Sequence, residues 1–263
     1  MNADSTYIKS IWNSRYFWIH LALADIRTKY RRSLLGLAWA LIQPLSITLL
    51  LAFIMGNFFH TTMNDYAPFI FSGLIIWEFI TSSAINGCTA FVNAEGYIKQ
   101  FTHPLMIYTL RNVIPCLINL FCAFGGLVLW VLLWKPANFG FSWLSFIVAF
   151  PMLFFFAWPI STITAFIGVR FRDFAQLILI MLQIVYYVSP IFFMPKLFVA
   201  AKLGFLVEYN PIYHLLNLFR LPLLEGTPPA ISDYVYVLVA SGVLWLIAWL
   251  LVRRHENKVI FYL

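Results

Sequence analysis

The chain has 263 residues, of which 62% are hydrophobic and only 10% are charged. Soluble chains contain about 45–50% apolar and about 25% charged residues, and a chain of this size cannot bury the excess found here. The composition therefore excludes a soluble globular domain and predicts an all-α integral membrane protein. The net charge of +7 does not indicate nucleic-acid binding, because in a membrane chain the position of the basic residues matters more than their sum.

Residues 1–33 precede the first long apolar stretch and form a separate predicted region. Between residues 5 and 30, apolar side chains such as Tyr7, Ile11 and Trp18 recur every three or four positions, and basic residues fall largely between them. This spacing predicts an amphipathic helix. A tryptophan-bearing apolar face opposite a basic face is typical of a helix that lies in the membrane interface; a plain basic segment that fixes topology is the alternative.

Residues 34–263 form the predicted membrane domain. A bilayer requires about 20 mostly apolar residues per crossing helix, and six stretches meet this requirement: 34–56, 67–91, 113–134, 141–169, 174–194 and 233–252. Six spans place both termini on one side of the membrane, together with 13 of the 17 Lys and Arg residues. The positive-inside rule then predicts that both termini, including the tail 253–263, are cytoplasmic.

Two connecting segments stand out. Residues 92–112 form the longest predicted cytoplasmic loop between spans, and it is too short for an enzymatic domain. Residues 195–232 form the largest external segment, which is apolar but is interrupted by prolines at 195, 211, 222, 228 and 229. Its apolar runs are too short to cross a bilayer, so they predict re-entrant or interfacial helices that cap the outer end of a pathway.

The sequence lacks the short motifs of common enzyme and metal sites. It contains no G-x-x-x-x-G-K-[ST], G-x-S-x-G, H-E-x-x-H or C-x-x-C, so we expect no nucleotide site, catalytic site, metal or cofactor in this chain. Glu78 is the strongest candidate for an ionisable residue deep within a span, and such a residue is a functional hypothesis by default. The alternative is that Glu78 lies near the outer interface.

Aromatic residues make up 19% of the chain. Tyr186 and Tyr187 lie in the middle of the fifth predicted span, and Phe192 and Phe193 close it. Aromatic faces suit the apolar faces of sugar rings, so these four residues are candidate channel residues for a carbohydrate. The alternative for each is a lipid-facing position in the aromatic belt.

Five blocks, taken in order along the chain, carry a resemblance to a known family: DIRTKYRRSLLGLAWALIQPL (25–45), YAPFIFSGLIIWEF (66–79), IKQFTHPL (98–105), FRDFAQLILIMLQIVYYVSPIFF (171–193) and NPIYHLLNLFRLPLLEG (210–226). Together they resemble the permease subunits of bacterial ABC polysaccharide exporters. The O-antigen exporter permeases are the nearest match, and the capsular-polysaccharide and teichoic-acid exporter permeases are close relatives.

The resemblance implies a homodimer of six-span subunits in the bacterial inner membrane, joined to two nucleotide-binding subunits that carry the ATP and Mg. It implies that residues 95–106 form a cytoplasmic gate and ATPase contact, with the N-terminal region as a further contact, and that residues 195–224 form periplasmic gate helices. The residues expected to carry the coupling are Tyr97, Ile98, Lys99, Phe101, His103 and Pro104.

A basic cluster is the predicted uptake site for the substrate. Clustered cations at headgroup level bind anionic lipid heads, so we expect this cluster to attract the pyrophosphate of an undecaprenyl-linked glycan. The alternative is that these basic residues only keep the segment on the cytoplasmic side of the membrane. The residues of the cluster and of the loop that follows it are Arg27, Lys29, Arg31, Arg32, Ser33 and Gly36.

Three other functions remain open. A membrane enzyme of glycan assembly would need clustered charges on one large loop, whereas Asp65, Glu208, Glu225 and Asp233 are scattered. A self-contained secondary carrier would show internal repeats, and none is seen between the two halves. Export of drugs or small lipids on the same fold is the nearest rival to polysaccharide export.

Overall fold

A computed structural model describes residues 3–31, 33–59 and 62–263, and every regular element in these ranges is helical. The helices, in chain order, are α1 (Ala3–Asn13), α2 (Arg15–Tyr30), α3 (Trp39–Phe59), α4 (Met63–Cys88), α5 (Glu95–Gln100), α6 (Met106–Trp134), α7 (Phe146–Gly168), α8 (Phe174–Val188), α9 (Pro195–Ala200), α10 (Phe205–Glu208), α11 (Pro211–Arg220) and α12 (Ile231–His255). Single 3₁₀ segments cover Gly36–Ala38, Pro136–Asn138, Phe141–Ser145 and Glu256–Phe261, and a π-helical turn covers Leu221–Glu225.

Five apolar helical stretches in the described part of the chain are long enough to cross a bilayer: Gly36–Phe58, Met63–Cys88, Met106–Trp134, Phe141–Gly168 and Ile231–Phe261. The all-helical, multi-pass class predicted from composition is therefore confirmed. α8 is apolar but has only 15 residues, fewer than the predicted stretch 174–194. It ends early because Pro190 disfavours helical backbone at Ser189, which is extended at φ −91° and ψ 146°.

α4 lies at the centre of the bundle and packs against α3, α6 and α7. Its contact with α7 is close because Gly87 faces that helix: a Cβ at this position would lie 2.6 Å from the Ser161 carbonyl oxygen. α6 and α7 are joined by the buried hydroxyls of Thr109 and Thr162, which are 3.0 Å apart. Small residues and hydroxyl pairs are the usual means by which membrane helices associate.

The two chain ends meet at one end of the bundle, which we call the terminal end. The Tyr7 hydroxyl donates a 2.7 Å hydrogen bond to Glu256 Oε1, so α1 lies beside the segment that follows α12. α5 and the loop after it lie at the same end, where Ile98 and Leu105 share an apolar cluster with Val259. The single N-terminal helix predicted for residues 5–30 is interrupted at Ser14, which separates α1 from α2.

The opposite end, called the far end, is built from α9–α11 and the π-helical turn. Arg220 anchors this segment, and its guanidinium donates to the carbonyl oxygens of Pro190 at 2.6 Å and Ile191 at 2.8 Å. The π-turn carbonyls are also satisfied, since Trp143 Nε1 donates to Pro222 O at 3.1 Å and Asn138 Nδ2 donates to Leu224 O at 2.6 Å. Irregular backbone is tolerated in an apolar protein where neighbouring groups satisfy it in this way.

Candidate functional site

A cavity of about 600 Å³ opens between α2, α3, α4 and α6. Its walls carry many polar side chains, although three of these four helices belong to the long apolar set. The polar and charged residues that line it are Asp25, Lys29, Tyr30, Gln43, Glu78, Ser82, Asn86, Thr89, Asn93, Arg111, Asn112 and Asn119. We call this cavity the polar groove.

The polar wall on α4 follows from a four-residue spacing. Glu78, Ser82 and Asn86 lie one turn apart, so they share one face of the helix. The Ser82 hydroxyl donates to Glu78 Oε1 at 2.8 Å, and Glu78 is exposed in the groove. An exposed carboxylate within an apolar span is stable only beside water or polar groups, so we expect this face of α4 to line a hydrated space.

α6 supplies the facing polar wall. The Asn112 side chain donates to the Asn86 carbonyl oxygen at 2.9 Å, and Asn86 Nδ2 lies 3.4 Å from Cys116 Sγ. One turn further on, Asn119 Oδ1 accepts a 3.0 Å hydrogen bond from the Tyr30 hydroxyl of α2. Amide and hydroxyl groups on both walls can exchange hydrogen bonds with a hydroxyl-rich ligand.

A bidentate ion pair holds α2 against α6 at the groove. Arg111 Nε and one terminal nitrogen donate to the two carboxylate oxygens of Asp25, both at 2.6 Å. Arginine is favoured in such a pair because its planar fork matches both carboxylate oxygens. The pair thereby fixes the position of Lys29, which is one turn beyond Asp25 and lines the same groove.

The predicted basic cluster is divided by the structure. Lys29 lines the groove, and Arg31 borders a second depression with Thr28, Lys29 and Ser33. Arg27 is exposed but lines neither cavity, and Arg32 lies outside the described residues.

The loop after the cluster turns at Ser33 and Gly36. The Gly36 N–H donates to Ser33 Oγ at 3.0 Å, and the Gly36 backbone has a φ of +52°. Only glycine adopts this left-handed conformation without strain. Beyond the turn α3 begins at Trp39, and its first residues, Trp39 and Gln43, line the groove together with the end of α2.

The predicted channel aromatics fall into two groups. Tyr186 packs against Trp77, a groove residue, with ring centroids 5.8 Å apart, and the neighbouring Tyr187 is 59% exposed. Phe192 and Phe193 follow the end of α8 and pack edge-on at 4.8 Å. The structure therefore places Tyr186 beside the groove and the two phenylalanines beside the far-end segment.

The predicted coupling residues surround one side chain of α2. Phe17 contacts the rings of Tyr97, Phe101 and His103, with centroid distances of 5.8, 6.3 and 4.8 Å. Sequence reasoning missed Phe17, because its ring partners lie on a distant segment of the chain and only the packing of the bundle brings them together. The Ser14 hydroxyl lies 3.4 Å from His103 Nδ1 in the same contact.

The remaining coupling residues divide between surface and core. Lys99 is exposed and pairs with Glu95, whereas Pro104 is buried and Ile98 packs against the terminal-end cluster. Phe101 is 49% exposed, so this segment presents an apolar ring at the surface of the terminal end. Across the described ranges, no three His, Cys, Asp or Glu side chains are grouped to hold a metal ion.

Long apolar helices around a polar groove define the class: a multi-pass helical membrane protein with a hydrophilic space inside its bundle. The chain is 22% identical over 241 residues to the O-antigen export system permease protein RfbA of Klebsiella pneumoniae, which covers 90% of this chain and 92% of that protein. It is 24% identical to the polysialic acid transport protein KpsM of Escherichia coli, over 91% of this chain and 93% of that protein. A second RfbA, from Myxococcus xanthus, is 20% identical over 95% of this chain and 96% of its own length.

No family model matches the chain. The similarities nevertheless extend over nearly the whole of both partners in each comparison, and they agree in kind. The chain is therefore a distant, full-length homologue of polysaccharide export permeases.

Proposed function

We propose that the chain is the permease half of an ATP-driven exporter that moves undecaprenyl-pyrophosphate-linked polysaccharide, and O-antigen in particular, from the cytoplasm to the periplasm. The observation that carries this proposal is the polar groove. A span-depth row of Glu78, Ser82 and Asn86 suits a ligand that is hydrated and rich in hydroxyl groups. Full-length similarity to two kinds of polysaccharide permease supports the same substrate class.

A second copy of the chain would complete the pathway. α8 leaves most of its apolar side chains exposed, including Ile184 and Tyr187, and α3 leaves about half of its own exposed, including Phe53. α3 also forms one side of the groove. Pairing two copies through these helices would enclose the grooves between them and keep Glu78 away from acyl chains. The glycan would then slide between polar walls, with Tyr186 and Trp77 offering aromatic faces.

Substrate uptake would begin at α2. Lys29 and Arg31 border adjoining cavities, so a pyrophosphate bound between them would leave its glycan at the mouth of the groove. Phosphate groups are bound by clustered cations at headgroup level. The Asp25–Arg111 pair would hold this uptake site in position while the chain moves.

Energy would come from two separate nucleotide-binding subunits, which carry ATP and Mg, because this chain has no P-loop. These subunits would bind to the terminal end of the chain, where α1, α5 and Phe101 lie. Movement there would reach α2 through the aromatic cluster at Phe17. Residues 195–224, at the far end, would act as the periplasmic gate, with both termini in the cytoplasm and the chain in the bacterial inner membrane.

A capsular polysaccharide is the second candidate substrate, favoured by the similarity to the polysialic acid transport protein. Both substrates would pass through the same groove, and ATP hydrolysis by the nucleotide-binding subunits would drive the export of either. They differ in the lipid head and the sugars that the cavity must accept, so a direct comparison of the two substrates separates them.

The test uses the chain co-purified with the ATPase encoded beside it, in lipid nanodiscs. We expect lipid-linked O-antigen to stimulate ATP turnover and the quadruple alanine variant of Arg27, Lys29, Arg31 and Arg32 to lose that stimulation. The structure supplies a matched pair: Lys29→Ala should lose most of the stimulation, whereas Arg27→Ala removes the same charge from the same helix and should keep it.

Other results would redirect the proposal. Stimulation by a lipid-linked capsular glycan alone would change the substrate. Turnover that responds to drugs or simple lipids but not to glycans would retain the exporter and remove the polysaccharide. Failure of any ATPase to co-purify would overturn the exporter and favour a membrane enzyme of glycan assembly.

A further inference from the structure

A single carboxylate joins three segments at the terminal end. Glu256 Oε1 accepts hydrogen bonds from the Tyr7 hydroxyl of α1 at 2.7 Å and from the Leu105 backbone N–H at 2.9 Å. Leu105 immediately precedes α6 and closes the loop that follows α5. A carboxylate at this position satisfies a backbone N–H that the start of a helix leaves unpaired, so Glu256 caps α6 from the other end of the chain.

The Glu256 junction is built into the core of the terminal end. The Tyr7 ring packs edge-on against Trp249 of α12, with centroids 5.5 Å apart. Burial, followed by the negative charge of Glu256, raises the pKa of Tyr7 above its usual value, so its hydroxyl remains a donor. Val259, in the turn that follows Glu256, is 1% exposed. The segment after α12 is thus fixed to both of the segments proposed to contact the ATPase.

A second carboxylate lies in the first turn of α12, at the end of the helix opposite to the one that Glu256 follows. Asp233, in the first turn of α12, has Oδ1 2.7 Å from His214 Nδ1 of α11, and it also accepts a 3.2 Å hydrogen bond from Asn217 Nδ2. His214 Nε2 lies 2.8 Å from the Glu208 carbonyl oxygen at the end of α10. The imidazole is buried and stacks on Tyr236 of α12 at 4.0 Å, which fixes α10 and α11 to α12.

α12 connects these two junctions without a break. It is helical from Ile231 to His255 and contains no proline, so Asp233 lies about 33 Å along its axis from His255, the residue that directly precedes Glu256. It packs along α7, where Trp245 Nε1 donates to the Phe155 carbonyl oxygen at 2.9 Å. A displacement of the Glu256 end along the helix axis is therefore carried to the Asp233 end.

We propose that α12 is the transmission element of the transporter and that Glu256 and Asp233 are its two positioning residues. Glu256 receives movement from α1 and from the loop after α5, and Asp233 passes it to α11 through His214. The inference rests on the proposed function, because it supposes that an ATPase moves the terminal end. It adds a route from that end to the far-end gate which bypasses the polar groove.

The test measures movement of the far end directly. In a Cys122→Ser background, whose other two cysteines are buried, Val199→Cys places a thiol at a 65% exposed position on α9. Its labelling rate with a membrane-impermeant maleimide is measured in proteoliposomes of the complex, with and without ATP. We expect an ATP-dependent change of at least about threefold that both Glu256→Ala and Asp233→Asn abolish.

Neighbouring substitutions serve as controls. Asn257→Ala and Ser232→Ala change exposed residues adjacent to the two carboxylates and should keep the ATP-dependent change. If a carboxylate variant does not fold, Tyr7→Phe and His214→Gln remove only one hydrogen-bonding partner at each junction and should give the same loss. An ATP response that persists in the junction variants, or no response in the parent chain, overturns the proposal.

A second measurement separates transmission from local stability. Distant, independent substitutions normally combine additively in free energy, so variants that each lower glycan moved per ATP about fivefold should together lower it about 25-fold. Transmission through one helix predicts a different result. The double variant Glu256→Ala with Asp233→Asn should lower glycan moved per ATP no further than the more severe of the two single variants does. A parent that shows the ATP-dependent labelling but moves no glycan would remove the proposed substrate and leave the role of α12 standing.

Discussion

The guanidinium of Arg220 stacks on the ring of Phe69, with Cζ 3.8 Å from the ring centroid. The same group donates to the carbonyl oxygens of Phe69, Pro190 and Ile191 and to the Ser72 hydroxyl. One buried side chain thereby joins α11, the start of α4 and the end of α8. Arginine suits this position because its planar fork presents five donors.

We expect Arg220→Met to destabilise the protein severely. The substitution keeps an apolar stem but leaves several buried acceptors without donors, at a cost of about 1–3 kcal/mol for each acceptor. Arg220→Lys should recover only part of the loss, because a compact ammonium cannot reach both sides of the cradle. Thermal unfolding in detergent measures the stability of both variants, and Arg172→Ala, which changes an exposed arginine, serves as the control. Equal melting temperatures for Arg220→Met and its parent would contradict this account of the far end.

The contact between α4 and α7 predicts opposite results for two glycines. A Cβ at Gly87 would lie 2.2 Å from Thr164 Oγ1 and 2.6 Å from the Ser161 carbonyl oxygen, whereas a Cβ at Gly125 meets nothing within 4 Å. The Thr164 side chain can rotate but the Ser161 backbone cannot, so Gly87→Ala should cost about 1–3 kcal/mol. Gly125→Ala should be neutral or stabilising by up to about 1 kcal/mol. Melting temperatures of the two variants check the contrast, and similar values would show that the helices can separate freely.

Composition and periodicity are sufficient to predict the all-helical membrane class, because apolar stretches of bilayer length allow few other structures. They were less reliable where backbone chemistry ends a helix. The apolar run 174–194 continues past Ser189, yet the helix stops there because of Pro190, and the amphipathic pattern of residues 5–30 hides the break at Ser14.

The polar groove was only partly visible in the sequence. Glu78 is the one groove residue of α4 predicted from the sequence. The four-residue spacing from Glu78 to Ser82 and Asn86 puts all three on one helix face, but Ser82 and Asn86 are not among the predicted site residues. Their partners on α6 could not be found in this way, because Asn112 and Asn119 are 26 or more positions further along the chain and meet α4 and α2 only through the packing of the bundle. The same holds for Glu256 and Leu105, which are separated by 151 positions.

The raised pKa of Tyr7 predicts an alkaline effect on stability. Tyrosine ionises near pH 10.0 in the unfolded chain, whereas burial and the charge of Glu256 keep it protonated in the folded chain. Its contribution is therefore complete below pH 10 and is lost as the pH rises towards the folded pKa. Tyr7→Phe lacks this titration, so the difference in melting temperature between parent and variant should change in favour of Tyr7→Phe above pH 10. A constant difference between pH 8 and pH 11 would contradict the burial of this hydroxyl.

The Glu78 carboxylate in the groove is expected to serve transport rather than folding. Because the Glu78 side chain is exposed there and its carboxylate accepts a hydrogen bond from Ser82, one turn further along the helix, its replacement should leave packing intact and affect transport. We expect Glu78→Leu to lower glycan export at least about tenfold, since an apolar patch replaces a hydrogen-bonding group in a hydrated passage. Glu78→Gln keeps similar shape and hydrogen-bonding capacity and should retain most export.

Export is measured as surface polysaccharide in a deletion strain that carries each variant, with membrane abundance and melting temperature as controls. A proton relay through Glu78 predicts a different result for glutamine. Because glutamine cannot exchange a proton, Glu78→Gln should then lose as much export as Glu78→Leu. Retained export in Glu78→Gln with loss in Glu78→Leu therefore indicates a polar lining. Normal export in both variants would show that the glycan does not pass this face of α4.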